Sequence, residues 1–228
     1  MKKVNVFFDK LYKRVPGYVF GLLAFILGFL GTLLALLLSP EYVMWEKSIS
    51  VLGHKTGGLY LRVGLILFSI TSIPFLIYFA RTLRNEEINE YLRRGGFYIS
   101  IFSSITTILT ESFTGVNEFI SALHGLFALW SWMGGAMFLT LFSIVMKKNP
   151  NFSKLQIYVS FIVTGIFIFY LIPFFITNFC SYFPDLCYSF GRAVYIIMPT
   201  TEWFVHFSIL FWVLFNSIYF LYKKVNYD

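Results

Sequence analysis

The segment GYVFGLLAFILGFLGTLLALLLS, residues 17–39, has no charged side chain and consists mainly of Gly, Ala, Leu and Phe. A helix of about 20 apolar residues is long enough to cross the hydrocarbon core of a bilayer, so this segment predicts a transmembrane helix. Basic residues precede it, as in a signal peptide, but the apolar run is longer than the roughly 7–15 residues typical of one. We therefore expect it to be retained as the first span.

Five further apolar segments follow, and the composition agrees with them. Hydrophobic residues make up 58% of the 228 residues and charged residues 13%, against about 25% charged residues in soluble domains. No long linker or second domain interrupts the pattern, so residues 1–228 are expected to form one membrane domain. The predicted fold is all-α, a bundle of six transmembrane helices at residues 17–39, 59–80, 95–115, 119–146, 155–179 and 201–222.

The basic residues are distributed unequally between the two ends of these spans. The net charge is +7, but the 18 Lys and Arg lie in short segments between apolar runs, which argues against a nucleic-acid-binding face. Fourteen of them fall at the end that holds both termini and the loops near residues 81–94 and 147–154, and four fall at the other end. The positive-inside rule then predicts a multi-pass protein of the cell membrane with both termini cytoplasmic.

Small residues recur along the first span at alternating intervals of four and three. They are Gly17, Gly21, Ala24, Gly28, Gly31 and Ala35. On a helix they form one seam, and small residues allow membrane helices to approach closely. We expect this seam to pack against another span of the same chain. An oligomer or a partner protein held through the seam is the alternative.

Both cysteines, Cys180 and Cys187, lie in the predicted outer loop between the fifth and sixth spans, with Pro184 between them to turn the chain. Because an oxidising compartment favours pairing, we predict a disulfide that staples this loop. Two unpaired thiols at the membrane surface are the alternative.

Several ionisable side chains fall near the predicted outer ends of the spans. Two histidines lie roughly 8 Å below the outer boundary if each residue rises 1.5 Å along its helix, and a charged group at membrane depth usually marks a site or a partner. The third histidine, His54, is expected to be a surface residue of a loop. The candidate binding residues are Arg62, Glu111, His124, Glu202 and His206.

Helical spacing extends this cluster into the bundle. Glu202 and His206 are four residues apart and therefore share a face. Small or polar residues at similar spacing lead inwards from the other candidates: Ser69 and Ser72 from Arg62, Ser104 and Thr107 from Glu111, and Ala128, Ser131 and Gly135 from His124. The inner halves of the spans hold fewer ionisable groups. The pattern favours a polar pocket that opens to the outer side over a channel through the membrane.

Two kinds of chemistry fit the cluster. His124, His206 and one carboxylate, Glu111 or Glu202, are a possible zinc ligand set with water in the open position, which would permit hydrolysis of a lipid ester or amide. No H-E-x-x-H or G-x-S-x-G motif accompanies them. Without a metal, Arg62 and the histidines suit an anionic headgroup. Binding or processing of a membrane lipid headgroup is therefore the favoured function, with a non-enzymatic scaffold or assembly subunit and a small-solute transporter as alternatives.

Short motifs at residues 48–53 (SISVLG), 64–66 (GLI), 113–115 (FTG) and 123–125 (LHG) occur near the span ends. Through them the chain resembles the prokaryotic six-span membrane family catalogued as domain of unknown function 998. That family usually has Asn just before the second span, where this chain has glycines. The resemblance implies six spans and no established activity. A looser likeness to eukaryotic six-span lipid-handling membrane proteins implies work on lipids.

Overall fold

The computed structural model describes residues 2–86, 88–114, 117–182 and 184–223. Within these ranges the chain forms α-helices joined by short turns and has no strand, which confirms the all-α prediction. The helices are α1 (Lys2–Arg14), α2 (Gly17–Leu37), α3 (Ile49–Gly53), α4 (Gly58–Thr82), α5 (Glu90–Ser112), α6 (Glu118–Lys147), α7 (Lys154–Tyr182) and α8 (Pro184–Lys223).

Five helical segments of the described chain are long and apolar enough to cross a membrane, as an integral membrane protein requires. They are Gly17–Leu37, Gly58–Thr82, Glu118–Lys147, Lys154–Ile176 and Ile196–Lys223. The remaining predicted span, 95–115, corresponds to α5, which is helical but has a run of Ser and Thr side chains. Because α5 is more polar than the five segments above, it is not counted with them, and the sixth span stays a prediction.

Three segments differ from the sequence-based expectations. The first residues, for which no element was predicted, form α1, and the loop after the first span contains the short helix α3. The predicted outer loop near residues 180–200 is instead helical on both sides of residue 183, because Pro184 occupies the first position of α8, where a proline is tolerated. The side chains of Cys180 and Cys187 lie outside the described part of the chain, and their disulfide stays a prediction.

The long helices form a closed ring. Each of α4, α5, α6, α7 and α8 contacts the helix before it, α4 contacts α2, and α8 returns to α2. The small-residue seam lies on the buried face of α2. A Cβ added at Gly31 would lie 2.7 Å from the Cα atom of Gly64 in α4, and one added at Gly21 would meet Phe75 of α4 and Ser217 of α8. The seam therefore packs inside the chain, against α4 and α8; an oligomer or a partner protein stays a prediction.

The basic segments gather at one end of the ring, which we call the α1 end. Arg81 pairs with Asp9 of α1 at 2.7 Å, and Lys223 donates to the carbonyl of Asn151 at 3.4 Å. Aromatic rings fill the bundle above this end. Phe79 is fully buried and packs against the rings of Phe75, Phe142, Phe152, Trp212 and Phe220 at 5.0–6.0 Å.

The opposite end, which we call the α3 end, is covered by the segment between α2 and α4. The Tyr42 hydroxyl lies 2.6 Å from the carbonyl of Lys47 and 2.7 Å from that of Ser48, and it accepts a hydrogen bond from Trp203 Nε1 at 3.0 Å. Burial raises the pKa of Tyr42, so this phenol stays a neutral donor. These bonds hold α3 against the start of the span in α8.

Candidate functional site

A cavity lies inside the ring, between the α3 end and the aromatic cluster around Phe79. It contains about 1080 Å³ of empty space including its mouth, of which about 100 Å³ admits the centre of a water molecule. Along α4 its lining runs from Leu61 to Leu76. The fifteen helical steps between these two residues correspond to about 22 Å at 1.5 Å per step, so the cavity is long and narrow.

Four of the five predicted binding residues line this cavity, namely Glu111, His124, Glu202 and His206. Arg62 is displaced from the lining. Its Nη1 donates to the hydroxyl of Thr114, a lining residue, and its buried Nε has no hydrogen-bond partner. His54 is exposed at the end of α3, as expected. The structure thus brings together residues from α5, α6 and α8 that the sequence could relate only by depth.

His124 is held in one tautomer by the neighbouring helix. Asn117 caps the start of α6 by accepting from the Ile120 N–H at 2.8 Å, and His124 lies two turns further along α6. Its Nδ1 is 2.9 Å from the carbonyl oxygen of Thr110. A carbonyl can only accept, so Nδ1 carries a proton, and in this tautomer the lone pair lies on Nε2.

His206 is fixed in the opposite tautomer by a residue that the sequence analysis missed. The Thr32 hydroxyl donates to the Gly28 carbonyl at 2.9 Å and lies 2.9 Å from His206 Nε2. Having given its only proton to Gly28, Thr32 accepts from Nε2–H, which leaves the lone pair on Nδ1. Thr32 is the one hydroxyl among residues 17–37 besides Tyr18, and this isolation was the signal that could have identified it.

The two carboxylates differ in their partners. Glu202 is 5% exposed, and its Oε2 accepts from the backbone N–H of Ile49 at 3.3 Å. Glu111 is partly buried and interacts electrostatically with Arg62 and with Glu202. No side-chain ion pair joins either carboxylate to a base in the described part of the chain. The cavity therefore carries two acids, of which one accepts a backbone hydrogen bond and the other lies near an arginine.

Hydroxyl groups line the middle of the cavity, and most have partners within the helices. Ser103 donates to the Ser131 carbonyl at 2.9 Å, and the hydroxyls of Thr107 and Ser131 are 2.6 Å apart. Ser69 and Ser72 are different: they are 1% and 3% exposed, line the cavity and have no hydrogen-bond partner. Because an unsatisfied buried hydroxyl costs about 1–3 kcal/mol, these two are available to an occupant of the cavity.

The deep part of the cavity is aromatic. Phe68, Trp132, Phe138, Phe167 and Trp212 all contribute to its lining. Trp212 is fully buried and its Nε1 donates to the Ser160 hydroxyl at 2.8 Å, so its ring is fixed in place. These residues could not be assigned to the site from the sequence, because an aromatic residue at helical spacing is equally typical of packing in a bundle.

The zinc hypothesis is not supported by the arrangement. Among the described residues, no three His, Cys, Asp or Glu side chains are grouped so that they could hold a metal ion. His124, His206 and Glu111 share a cavity without forming a coordination set.

Comparison with protein-family models, with curated proteins and with solved structures gave no match. The resemblance to the family of unknown function therefore stays a prediction.

Proposed function

We propose that this chain is a six-span membrane protein with cytoplasmic termini, and that its cavity binds a lipid or lipid-like amphiphile from the outer side. The observation that carries the proposal is the division of one long cavity into a polar part, with Glu111, His124, Glu202 and His206, and an aromatic part. An amphiphile has the same division, with a hydrated headgroup and an apolar chain.

The exposed face of α5 supports a sixth span. Tyr98, Phe102 and Ile105 are 56%, 46% and 45% exposed, so the face turned away from the bundle is apolar. The polar residues of α5 lie mainly on the opposite face, and several bond to carbonyls one turn earlier. The hydrocarbon core of a bilayer holds no water, so polar groups there must be hydrogen-bonded within the protein. Because hydroxyls of α5 are bonded in this way, α5 can cross the membrane despite its Ser and Thr content. With its 23 residues it is about 34 Å long.

The dimensions of the cavity favour an elongated occupant. Its length of about 22 Å covers much of the roughly 30 Å hydrocarbon core, yet the space open to water centres is only about 100 Å³. A compact polar solute would leave the aromatic part unfilled. A single alkyl chain would cover it and recover the hydrophobic free energy of about 25 cal/mol per Å² of apolar surface removed from water.

Binding is favoured over chemical processing. Hydrolysis needs an activated water or a nucleophile paired with a base, and Ser69 and Ser72, the unpartnered serines of the cavity, form no hydrogen bond with a histidine. The seam that motivated a scaffold function is already buried by α4 and α8.

Filling the cavity tests the proposal. Ala128 lines the cavity one turn from His124, and Ala122 lies exposed on the same helix. We expect Ala128→Trp to purify without the amphiphile that mass spectrometry detects with the unmodified protein and with the control Ala122→Trp. If the same lipids accompany all three proteins in equal amounts, the cavity is not their binding site.

The proposed orientation has its own test. In a protein whose native cysteines are replaced by serine, Lys55→Cys places a thiol at the α3 end and Glu86→Cys places one at the α1 end, both at exposed positions. A membrane-impermeant maleimide applied to intact cells should label only Lys55→Cys. Labelling of Glu86→Cys in intact cells would reverse the proposed topology.

A further inference from the structure

We propose that the headgroup recognised by this cavity is a cation, a protonated amine or a quaternary ammonium. This inference rests on the proposed function, because it names the ligand class of the same cavity. It departs from the anionic headgroup that the presence of Arg62 suggested in the sequence.

Among the described residues, the cavity is lined by acidic and not by cationic side chains. Glu111 and Glu202 line the cavity, and no lysine or arginine among the described residues does. Arg62 bonds to Thr114 outside the lining and interacts with Glu111, so with both carboxyls ionised the site has one formal negative charge in excess. A buried ion is costly unless it is paired. An incoming cation would pair with an ionised carboxylate, whereas an anion would add repulsion.

The cavity offers hydrogen-bond acceptors to a ligand. The tautomers fixed by Thr110 and Thr32 leave His124 Nε2 and His206 Nδ1 as acceptors. Glu202 uses one oxygen on the Ile49 N–H. Four acidic or imidazole side chains therefore present acceptors, and the ligand must supply the donors. An ammonium group supplies up to three N–H donors and a positive charge at once.

Two serine hydroxyls indicate a polar occupant independently of the acidic residues. The hydroxyls of Ser69 and Ser72 are more than nine-tenths buried, line the cavity and bond to nothing. They show that the cavity is built around an occupant with polar atoms. The aromatic rings beyond them, including Trp132 and Trp212, suit the chain of that occupant and offer ring faces attractive to an alkylammonium group.

The experiment compares three probes with the same twelve-carbon chain and a terminal bromine: an alkylammonium, an alkanoate and an alkanol. Bromine quenches tryptophan fluorescence at short range, so saturable quenching reports entry of the chain beside Trp132 and Trp212. The full-length protein is titrated in a neutral maltoside detergent. We expect the ammonium probe to bind at least about tenfold more tightly than the other two, a difference of about 1.4 kcal/mol.

Each outcome separates the two proposals. If all three probes bind equally, amphiphile binding stands and the cationic headgroup is overturned. If none quenches saturably, the proposed function fails, and this inference fails with it. Ethylammonium is a competitor without the alkyl chain. If it displaces the ammonium probe when both are present at equal concentrations, the cavity is a site for a free soluble amine. That result would support a cation site and overturn the binding of an amphiphile.

Variants of single carboxylates sharpen the test. Glu202→Gln preserves the shape of the side chain and should weaken binding of the ammonium probe at least about tenfold. Binding of the alkanol probe should be unchanged, which would also show that the variant is folded. Glu118→Gln is the matched control, because Glu118 is an exposed carboxylate at the start of α6. If Glu202→Gln loses binding of the ammonium and alkanol probes equally, Glu202 is needed for the folded structure, and its role in recognising the headgroup is contradicted.

Discussion

Replacing Gly31 with alanine is expected to lower the free energy of unfolding by about 1–3 kcal/mol, the usual cost of overpacking. The added Cβ would lie 2.7 Å from the Cα atom of Gly64 and 2.7 Å from the carbonyl oxygen of Tyr60. Carbon atoms pack best at about 3.5–4.0 Å. Because both obstacles are backbone atoms, relief requires α2 and α4 to separate by about 1 Å along their contact, which also loosens neighbouring contacts.

The matched control is Gly165→Ala in α7. A Cβ at Gly165 meets no atom within 4 Å, so that substitution should stabilise its helix by roughly 0.5–1 kcal/mol through backbone entropy. Both variants are compared with the unmodified protein by reversible unfolding in mixed micelles with increasing sodium dodecyl sulfate. A lower unfolding free energy for Gly31→Ala together with a higher one for Gly165→Ala would support the close approach of α2 and α4. A Gly31→Ala protein that is as stable as Gly165→Ala would refute this account of their contact.

Three further changes have defined outcomes. Ser72→Ala removes an unsatisfied buried hydroxyl and should raise the unfolding free energy by about 1 kcal/mol while it weakens amphiphile binding; a loss of stability would show that the hydroxyl has a partner. Thr32→Val leaves His206 Nε2–H without its acceptor and should cost about 1–3 kcal/mol and alter the tautomer seen by ¹⁵N NMR, whereas an unchanged spectrum contradicts the assignment. A hydrogen bond from Arg93 lowers the pKa of Glu90 to about 2. Ionised Glu90 therefore contributes its full stabilisation of the folded state above pH 4.5, and this contribution is lost as pH falls towards 2. The resulting decrease of the unfolding free energy with falling pH should be absent in Glu90→Gln.

Depth along the helices was predictable from sequence. A rise of 1.5 Å per residue places His124 and His206 at matching levels, and both line the cavity. The spacing of Ser69 and Ser72 likewise predicted a polar stripe, which the structure confirms as part of the lining. Such predictions succeed because regular helix geometry fixes both the depth and the face of a residue.

Partner identity was not predictable in the same way. Arg62 was expected among the acidic residues, but it bonds to Thr114 and stays behind the lining. Thr32 could not be connected with His206, because a single hydroxyl in an apolar helix gives no indication of which helix it faces. Which atoms meet across helices depends on rotation and packing, and these depend on all the side chains of the ring together.

The sequence by itself determined the elements of this protein: apolar segments long enough to form membrane helices, an unequal charge distribution, and a small-residue seam on the first long helix. Each is a local property, fixed by composition and helical period. Only the tertiary structure decided that the seam serves contacts within the chain, that α8 closes the ring against α2, and that Glu111, His124, Glu202 and His206 enclose one cavity. Those outcomes arise from close approach at positions such as Gly31 and Gly64, where the fit of two surfaces exists only once both helices are in place.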